Sequence, residues 1–376
     1  MKFIILLSYL LVTLMISCNI QSSKDDELTS ISVQLEDKPV HLSHIFSDIE
    51  VIPLETSDTI LVEPEAKINF TDSLVFLESN KSILIFNYKG ELIQTIKHCG
   101  IGRGEYTSIS DFFVDDNLQV IEVLDKNQKK ILQYDYNNKY LSEIPLNFLA
   151  IKFIRNDNNL FVYNGNERDE NNKYKFRVLA PKHNAAFAEI DKNKSKYLHI
   201  FNLINFYKRK NELLFFEPFN DTIYTLQPNK LEPKYAISYY EGNIPTSFYE
   251  KHHFANVFEF FQEIKKHNYV NSTYNVFETE NKLFFQCYYK GKKYLVEYDK
   301  LTHHSISYDS IIDDVFLPTP TPLPFQDNDF IFFAQNDKVL FTVPTQWLLD
   351  SKQKVEEPFS NLKIDDNPLL FTAKIK

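Results

Sequence analysis

The chain has 376 residues, of which 43% are apolar and 15% aromatic, including 33 Phe and 22 Tyr. This composition supplies enough apolar surface for a packed core and excludes a globally disordered chain. A formal net charge of −10 argues against a nucleic-acid partner, because a protein that neutralises phosphates needs a basic face. The abundance of Phe, Tyr and Ile, which favour strands, predicts a mostly β protein.

The N-terminus has the pattern of an export signal. Lys2 is followed by an apolar run that ends at Ser17, and Cys18 comes next. The run is too short for a comfortable membrane span, so we interpret residues 1–17 as a signal peptide. A small residue directly before a cysteine resembles the bacterial lipobox, in which the new N-terminal cysteine is acylated. We therefore expect Cys18 to carry lipid and to anchor the protein to a membrane. The alternative is an ordinary signal peptide with an incidental cysteine.

A polar segment follows the anchor cysteine. Residues 18–30 are expected to form a flexible lipidated tether, and residues 31–376 a single domain. The acidic stretch Ser23–Glu27 resembles the signal that sends some Bacteroidota lipoproteins to the cell surface. We expect an outer-membrane lipoprotein of the cell envelope, and leave open whether it faces the periplasm or the exterior.

From residue 66 onward, short strand patterns recur in sets of four. The segments ILIFNYKGELIQTI, from Ile83, and ILQYDYNNKYLSEI, from Ile131, share one frame 48 residues apart. Six sets can be recognised, and they begin at Ala66, Ile109, Ile151, Ile200, Tyr274 and Val315. Repeats of this length with four strands each are typical of propeller blades. The alternative is a β-sandwich with long loops.

Two segments interrupt the repeats with helical periodicity. In residues 246–267, an apolar stripe is formed by Phe254, Val257, Phe258, Phe261 and Ile264. We interpret this segment as an insertion that packs on the core, the alternative being a lid or a helix that docks a partner. A second, short helix is predicted near the C-terminus, between Pro344 and Lys354.

The link between the first two sets holds three of the seven glycines: Gly100, Gly102 and Gly104. The spacing fits neither a dinucleotide fingerprint nor a Walker loop, and strands rather than a helix follow. A loop that cradles an anion is the alternative to a structural link in which glycine permits positive φ. We favour the link, with Glu105 and Asp111 tying one blade to the next.

The same segments carry a family resemblance. DIEVIPLET, from Asp48, the glycine-rich stretch with its GEY and DF motifs, and NPLLFTAKIK, from Asn367, resemble the six-bladed β-propeller lipoproteins of Bacteroidota. Family members usually have Pro where this chain has Arg103. The positions that match the family pattern are Gly100, Gly102, Gly104, Glu105, Tyr106, Ile109, Asp111 and Phe112. The resemblance implies that the ring closes by pairing Glu50–Leu54 with Leu369–Ile375.

Candidate metal ligands are sparse in the sequence. The pairs His252-His253 and His303-His304 consist of adjacent residues, which point apart on a strand or helix. The two cysteines after the anchor, Cys99 and Cys287, lack metal-binding spacing and are expected to be buried small apolar groups. We therefore expect no metal site and no cofactor.

Together these patterns predict an all-β, six-bladed β-propeller with four-stranded antiparallel blades, one helical insertion and a short C-terminal helix. The expected function is non-catalytic binding of a glycan, a peptide or an envelope protein. The alternatives are a propeller-fold lyase or glycosidase and a structural subunit of an envelope complex. Candidate ligand-binding or inter-blade residues are Arg103, Glu105, Tyr106 and Asp111. Aromatic runs at Phe215–Phe219, Tyr239-Tyr240 and Tyr288-Tyr289 offer faces for sugars or peptides. A binder should show an aromatic-lined cleft.

Overall fold

The computed structural model describes residues 28–376 except Asp169, Lys182, Phe201 and Ser272. The predicted signal peptide, Cys18 and most of the predicted tether lie outside these residues and stay predictions. No helix within the described part has the length and hydropathy needed to cross a membrane.

The elements follow in chain order. The N-terminal elements are β1 (Thr29–Val33), β2 (Pro39–His41), α1 (Leu42–Ile45) and β3 (Phe46–Pro53). Three sets of four strands come next: β4 (Ile68–Phe70), β5 (Leu74–Ser79), β6 (Ser82–Asn87) and β7 (Leu92–Ile96); β8 (Asp111–Asp115), β9 (Val120–Asp125), β10 (Lys130–Asp135) and β11 (Tyr140–Pro145); β12 (Lys152–Asn156), β13 (Asn159–Tyr163), β14 (Tyr174–Leu179) and β15 (Ala185–Glu189).

The second half continues this arrangement around two helices. Its elements are β16 (Phe206–Arg209), β17 (Glu212–Phe215), β18 (Thr222–Gln227), β19 (Lys230–Tyr239), α2 (Thr246–Lys251), α3 (Val257–Lys266), β20 (Thr273–Glu278), β21 (Lys282–Tyr289), β22 (Lys292–Asp299) and β23 (His304–Tyr308). The C-terminal elements are β24 (Ser310–Asp313), β25 (Thr321–Pro322), β26 (Phe333–Gln335), β27 (Lys338–Val343), α4 (Thr345–Ser351) and β28 (Leu369–Ile375).

The strands form seven sheets, and the fold is an all-β, seven-bladed propeller. Five blades have four antiparallel strands each: β4–β7, β8–β11, β12–β15, β20–β23 and the set β26, β27, β28 and β3. The blade β16–β19 gains β1 as a fifth strand, and the remaining blade has three strands. The first strand of each larger blade contacts the first strand of another, so these inner strands line a central channel.

The prediction of six blades is therefore wrong. The additional blade consists of β2, β24 and β25, in which β2 pairs in parallel with β24. These strands are two to four residues long, and β2 lies far from its partner in the sequence. A search for recurring sets of four neighbouring strands does not detect such a sheet, because its pairing is non-local.

The chain closes the ring as the resemblance implied. Strand β28 pairs antiparallel with β3, so that Leu369 lies opposite Pro53 and Leu370 opposite Ile52. The two ends of the domain thus share one blade, which removes a free sheet edge. Phe371 on β28 is fully buried and stacks on Phe341, with 4.9 Å between ring centroids.

An N-terminal arm covers the outer edge of two blades. Strand β1 pairs in parallel with β19, and the Ser305 hydroxyl on the neighbouring blade donates to the Ser32 carbonyl oxygen. The arm begins at Thr29, two residues before the predicted start of the domain. Its backbone pairing satisfies the exposed edge of β19, which would otherwise offer open hydrogen-bonding groups.

The helical insertion is present as two helices, but its predicted stripe is partly wrong. Phe254 and Ile264 are buried, whereas Phe258 is 76% exposed and Phe260 is buried in its place. Asn256 caps α3, accepting hydrogen bonds from two backbone N–H groups, so the helix begins after Phe254. One helical period applied across residues 246–267 therefore assigns some of the wrong residues to the buried face. The predicted C-terminal helix is confirmed as α4.

The two cysteines differ in their surroundings, and both are free. Cys287 on β21 is fully buried, as expected. The prediction of burial is wrong for Cys99, which is exposed because it lies in the link between two blades rather than inside a sheet.

Candidate functional site

The glycine-rich segment is the link from β7, the outer strand of the first repeat blade, to β8, the inner strand of the next. Its turn is closed by the backbone of Gly100, whose N–H donates to the Tyr106 carbonyl oxygen at 3.0 Å. The Glu105 carboxylate accepts from the Gly102 N–H at 2.8 Å. Gly104 has φ of +74° and lies against the Tyr140 ring, where a Cβ atom would approach Cγ to 2.8 Å. Backbone geometry thus requires glycine at position 104.

The four candidate residues of this segment do not converge. Tyr106 is fully buried, with its hydroxyl 3.0 Å from the Lys81 carbonyl oxygen. Arg103 is exposed, and its guanidinium carbon lies 5.9 Å from the Tyr140 ring centroid. Glu105 stays within the turn, and only Asp111 reaches the channel.

Asp111 lies at the centre of a buried ion cluster at the start of three inner strands. Its Oδ1 accepts from the Lys67 ammonium, and its Oδ2 accepts from the Phe153 N–H at 2.9 Å. A second ammonium, that of Lys152, lies 3.8 Å from Oδ1. Because Lys67, Asp111 and Lys152 belong to three successive blades, the expected tie between blades is present and extends to a third blade.

Burial shifts the pKa values of two groups in this region. Burial lowers the pKa of Lys152 even though the Asp111 carboxylate opposes that shift. Burial raises the pKa of Glu78, on β5, to about 7, with the Lys67 ammonium opposing the shift. The charged form of each group is therefore disfavoured by a site of low polarity.

The channel below this cluster holds a cavity of about 460 Å³. Arg155 on its wall forms two hydrogen bonds to the Glu122 carboxylate, at 2.5 and 2.7 Å, so this pair is neutral overall. Acidic side chains lie at the far ends of the inner strands. Of these, Asp115 accepts from the Leu118 N–H at 3.1 Å.

A second cavity lies beside the channel cavity, and the two share Leu203 and Ile204 in their linings. Its volume is about 280 Å³, and we call it the aromatic cavity. It opens on the face at which the inner strands begin, called here the helix face because the helical insertion between β19 and β20 lies there. The aromatic cavity is lined by Ile200, Asn202, Leu203, Ile204, Pro218, Phe219, Phe261, Asn271, Tyr274, Asn275, Tyr288 and Ile331.

Two parallel tyrosine rings form one wall of the aromatic cavity. The rings of Tyr274 and Tyr288 stack at 5.2 Å with an interplanar angle of 5°. The Tyr288 hydroxyl donates to Asn328 Oδ1 at 3.2 Å. The Tyr274 hydroxyl is buried and interacts with Tyr288 without a hydrogen bond of ordinary geometry. Asn202 Nδ2 and Asn271 Oδ1 are buried and have no hydrogen-bond partner among the described residues. Unsatisfied buried polar atoms are rare in folded proteins, and each calls for an explanation, such as a bound water or ion.

Phe219 lines the opposite side with a strained backbone. Its φ is +59°, a conformation that bulky residues seldom adopt. The ring meets Phe260 edge to face at 4.8 Å, and the Tyr249 hydroxyl donates to the Phe219 carbonyl oxygen at 3.3 Å. Both partners belong to the helical insertion, which therefore holds the strained residue in place. Phe261 of the same insertion, 5.8 Å from Phe219, completes this side.

Asn275 shapes the floor of the aromatic cavity. Its φ is +52°, and it lies in an irregular part of the pairing between β20 and β21. Its side-chain amide donates to the Phe332 carbonyl oxygen at 2.5 Å and accepts from the Phe332 N–H at 2.9 Å. The bulge thus connects two blades and turns Tyr274 toward the cavity wall.

The sequence identified part of this cavity. Phe219 and Tyr288 belong to the aromatic runs that were expected to bind ligands. Tyr239 of the same group is a core residue, and Tyr240 is 76% exposed outside the cavity. Asn202, Asn271 and Tyr274 carry no motif that distinguishes them from other loop and strand residues, so sequence reasoning missed them. Among the described residues, no three His, Cys, Asp or Glu side chains are placed to hold a metal ion.

Comparisons with known structures show the fold. The chain is 22% identical to a protein of Bacteroides fragilis NCTC 9343 whose name describes it only as thought to be exported. The TM-score is 0.74, and the match covers 93% of this chain and 100% of that one. A DUF4221 family member of Bacteroides vulgatus ATCC 8482 is 13% identical, with a TM-score of 0.55, and the match covers 88% of this chain and 98% of that one.

The family model places the chain among proteins without an assigned activity. No curated protein matches it. Residues 28–374 match the model described as "Domain of unknown function (DUF4934)", which spans nearly all of the part that the structure describes. The chain therefore belongs to the DUF4934 family.

Proposed function

We propose that this protein is a non-catalytic binding module of the cell envelope that holds one sugar ring of a glycan in the aromatic cavity. The observation that carries the proposal is the stacked pair Tyr274 and Tyr288, which walls a cavity containing unpartnered buried polar atoms. The flat face of a pyranose packs on an aromatic ring, and its hydroxyl groups need donors and acceptors at the edge.

The size and polarity of the cavity support a single ring. Pockets for drug-sized ligands have volumes of roughly 300–1,000 Å³, so a cavity of about 280 Å³ accommodates one ring and not a longer segment. Asn202 Nδ2 is a donor, Asn271 Oδ1 an acceptor, and the Tyr274 hydroxyl is both. A peptide ligand that placed an apolar side chain in the cavity would leave these groups unsatisfied, at a cost of about 1–3 kcal/mol each.

Backbone strain supports the same location. Phe219 and Asn275 both adopt left-handed conformations on the cavity wall. Strained residues cluster at ligand-binding sites, where the surrounding packing enforces them. Here the helical insertion and the Phe332 backbone enforce the two conformations.

The expected location at the membrane is part of this proposal. Cys18 would carry the lipid, with the tether leading to Thr29. Strand β1 runs toward the helix face, since Val33 pairs with Tyr239, the last residue of β19, and Thr29 pairs with Tyr235 in the middle. The tether would then leave on the side away from the aromatic cavity, which directs the cavity away from the membrane. The exported relative in Bacteroides fragilis agrees with such an address.

Lipid attachment can be tested separately. Cys18→Ala should abolish incorporation of a radiolabelled fatty acid into the protein, because the acylated thiol is removed. A Cys99→Ala variant is the matched control and should keep the label. Labelling that persists in Cys18→Ala would refute the lipid anchor and leave the binding proposal intact.

A binding screen tests the proposed ligand class. The chain from Asn19 onward would be titrated with methyl pyranosides and their disaccharides, with tyrosine-containing peptides as the competing class. Saturable binding of a glycoside supports the proposal. Binding of peptides alone, or of neither class, contradicts it. Any glycan that binds would then be incubated and its products analysed, because turnover would favour the lyase or glycosidase alternative.

A further inference from the structure

We propose that the protein has a second binding site, at Lys152 in the central channel. This site would bind the oxyanion of a small carboxylate or phosphate compound. This site is distinct from the aromatic cavity and does not depend on the glycan proposal. Its basis is a buried lysine that lines the channel cavity and whose ammonium forms only a long ion pair, with Asp111, among the described residues.

Lys152 is the first residue of the inner strand β12 and is only 8% exposed. Its nearest carboxylate oxygen, Asp111 Oδ1, is 3.8 Å away, beyond ordinary hydrogen-bond distance. Among the described residues, no acceptor forms a hydrogen bond of ordinary geometry with the Lys152 ammonium. The ammonium nevertheless lines the cavity of about 460 Å³, so a ligand in the channel can reach it.

The Asp111 carboxylate has closer partners than Lys152. Its Oδ1 is taken by the Lys67 ammonium and its Oδ2 by the Phe153 N–H. Lys67 has a further acceptor in the Phe112 carbonyl oxygen at 2.8 Å. Two ammonium groups thus share one carboxylate that already has its partners, and the remaining donors are those of Lys152.

Apart from Asp111, the acidic residues that line this cavity lie at the far ends of the inner strands β4, β8 and β12, and they are Asp72, Asp115, Asp116 and Asp157. Arg155 and Glu122 neutralise each other through their two hydrogen bonds. The acidic residue Asp115 is four positions along β8 from Asp111, which corresponds to roughly 13 Å at about 3.3 Å per residue. The repulsion that these carboxylates exert on an anion at Lys152 falls inversely with their separation from it.

Glu78 is the remaining charged neighbour of Lys152. Its carboxyl changes the electrostatic potential at the proposed site but does not take the place of the oxyanion. Its carboxyl interacts with both Lys67 and Lys152, and no hydrogen bond joins it to Lys152 in the described structure. An oxyanion that bonds directly to the Lys152 ammonium would gain a charge-assisted hydrogen bond in a site of low polarity. A lysine ammonium is a point charge that accepts either a carboxylate or a phosphate oxygen, so the chemistry shared by both is the proposed class.

The test uses the chain from Asn19 onward with inorganic phosphate and with succinate, at constant ionic strength set by NaCl. Binding to the folded state should raise the unfolding temperature in proportion to ln(1 + [L]/Kd). In Lys152→Met the apparent affinity should fall by at least about tenfold, which corresponds to about 1.4 kcal/mol. Lys208→Met, which removes a cation elsewhere in the same cavity, should bind as the wild type does.

The outcomes separate the sources of the oxyanion. A shift with phosphate alone assigns a phosphate compound, and a shift with succinate alone assigns a carboxylate. No shift in the wild type overturns the proposal, as does an equal shift in Lys152→Met or an equal loss in Lys208→Met. The ligand-free Lys152→Met protein should be at least as stable as the wild type, because a buried ammonium whose ion pair with Asp111 is long is removed. Lys152→Gln serves as a second variant if Lys152→Met does not fold.

Discussion

At the residue scale, the molecule combines side chains that stabilise its fold with side chains that its fold leaves without partners. Asp111 and Tyr106 belong to the first group, since each is buried and hydrogen-bonded. Lys152 and Tyr274 belong to the second group, since each lines a cavity, is largely buried and forms no hydrogen bond of ordinary geometry through its polar atom among the described residues. The glycine-rich link contains the motif that is most visible in the sequence, yet the functional signals lie elsewhere.

Glu78 gives the protein a pH dependence with a definite sign. Its pKa in the folded state is about 7, above the ordinary value of 4.5. The folded state therefore binds a proton that the unfolded state releases, and the associated stability is present below pH 4.5 and lost as the pH rises through 7. We predict that wild type loses on the order of 1 kcal/mol relative to Glu78→Gln between pH 5 and pH 8, allowing for partial exposure.

Urea denaturation of both proteins at the two pH values measures this difference. Glu65→Gln removes an exposed carboxylate near the same blade and should follow wild type at both pH values. Parallel behaviour of wild type and Glu78→Gln would show that burial does not raise the pKa of this carboxyl.

At the scale of single elements, the strands could be predicted and the connections could not. The five sets of strands from Ala66 to Tyr308 are confirmed, except that β16 begins at Phe206 and not at Ile200, because the strands are short apolar-rich runs that end at turn residues. Their pattern is local and is read directly from the sequence. The aromatic cavity is made by loop and strand residues separated by up to 131 positions, from Ile200 to Ile331. No local pattern reports that these segments meet.

The constraint on the link between the first two repeat blades can be tested by comparing alanine variants of two glycines, one in the link and one in an open turn. Gly104 and Gly291 both have positive φ, at +74° and +79°. A Cβ atom at position 104 would meet the Tyr140 ring at 2.8 Å, whereas at position 291 no atom lies within 4 Å. Both alanine variants pay the left-handed penalty of about 1–2 kcal/mol. Only Gly104→Ala adds a steric clash, which costs typically about 1–3 kcal/mol.

We therefore predict that Gly104→Ala lowers the free energy of unfolding more than Gly291→Ala does. Chemical denaturation of the two variants and wild type provides the comparison. Equal losses in the two variants would show that the Tyr140 contact does not constrain the link.

At the scale of the whole molecule, the propeller and its closure followed from the repeats and the resemblance, whereas the blade count did not. The four-strand frame recurs in chain order, and its closure by β3 and β28 is confirmed. The blade of β2, β24 and β25 draws one strand from the N-terminal arm and two from beyond β23. Its formation depends on where the closed ring places these segments, which the local sequence does not encode.

The whole fold also explains why the proposed binding site lies where it does. The helical insertion interrupts the repeats between β19 and β20 and buries Phe248, Phe254, Phe260 and Ile264 over the helix face. The same insertion holds Phe219 and contributes Phe261 to the aromatic cavity. The expectation that the insertion packs on the core is confirmed. Under the proposed function, the insertion also forms part of the wall that contacts the sugar.

The affinity of Tyr288→Ala for the tightest-binding methyl pyranoside, measured by isothermal titration calorimetry, tests the central claim most directly. Removing this ring takes away one member of the stacked wall, so we predict at least about a tenfold weaker Kd. Tyr240→Ala removes an exposed aromatic ring outside the cavity and should bind as wild type does. Equal affinities of Tyr288→Ala and wild type would contradict the claim that the aromatic cavity binds the sugar.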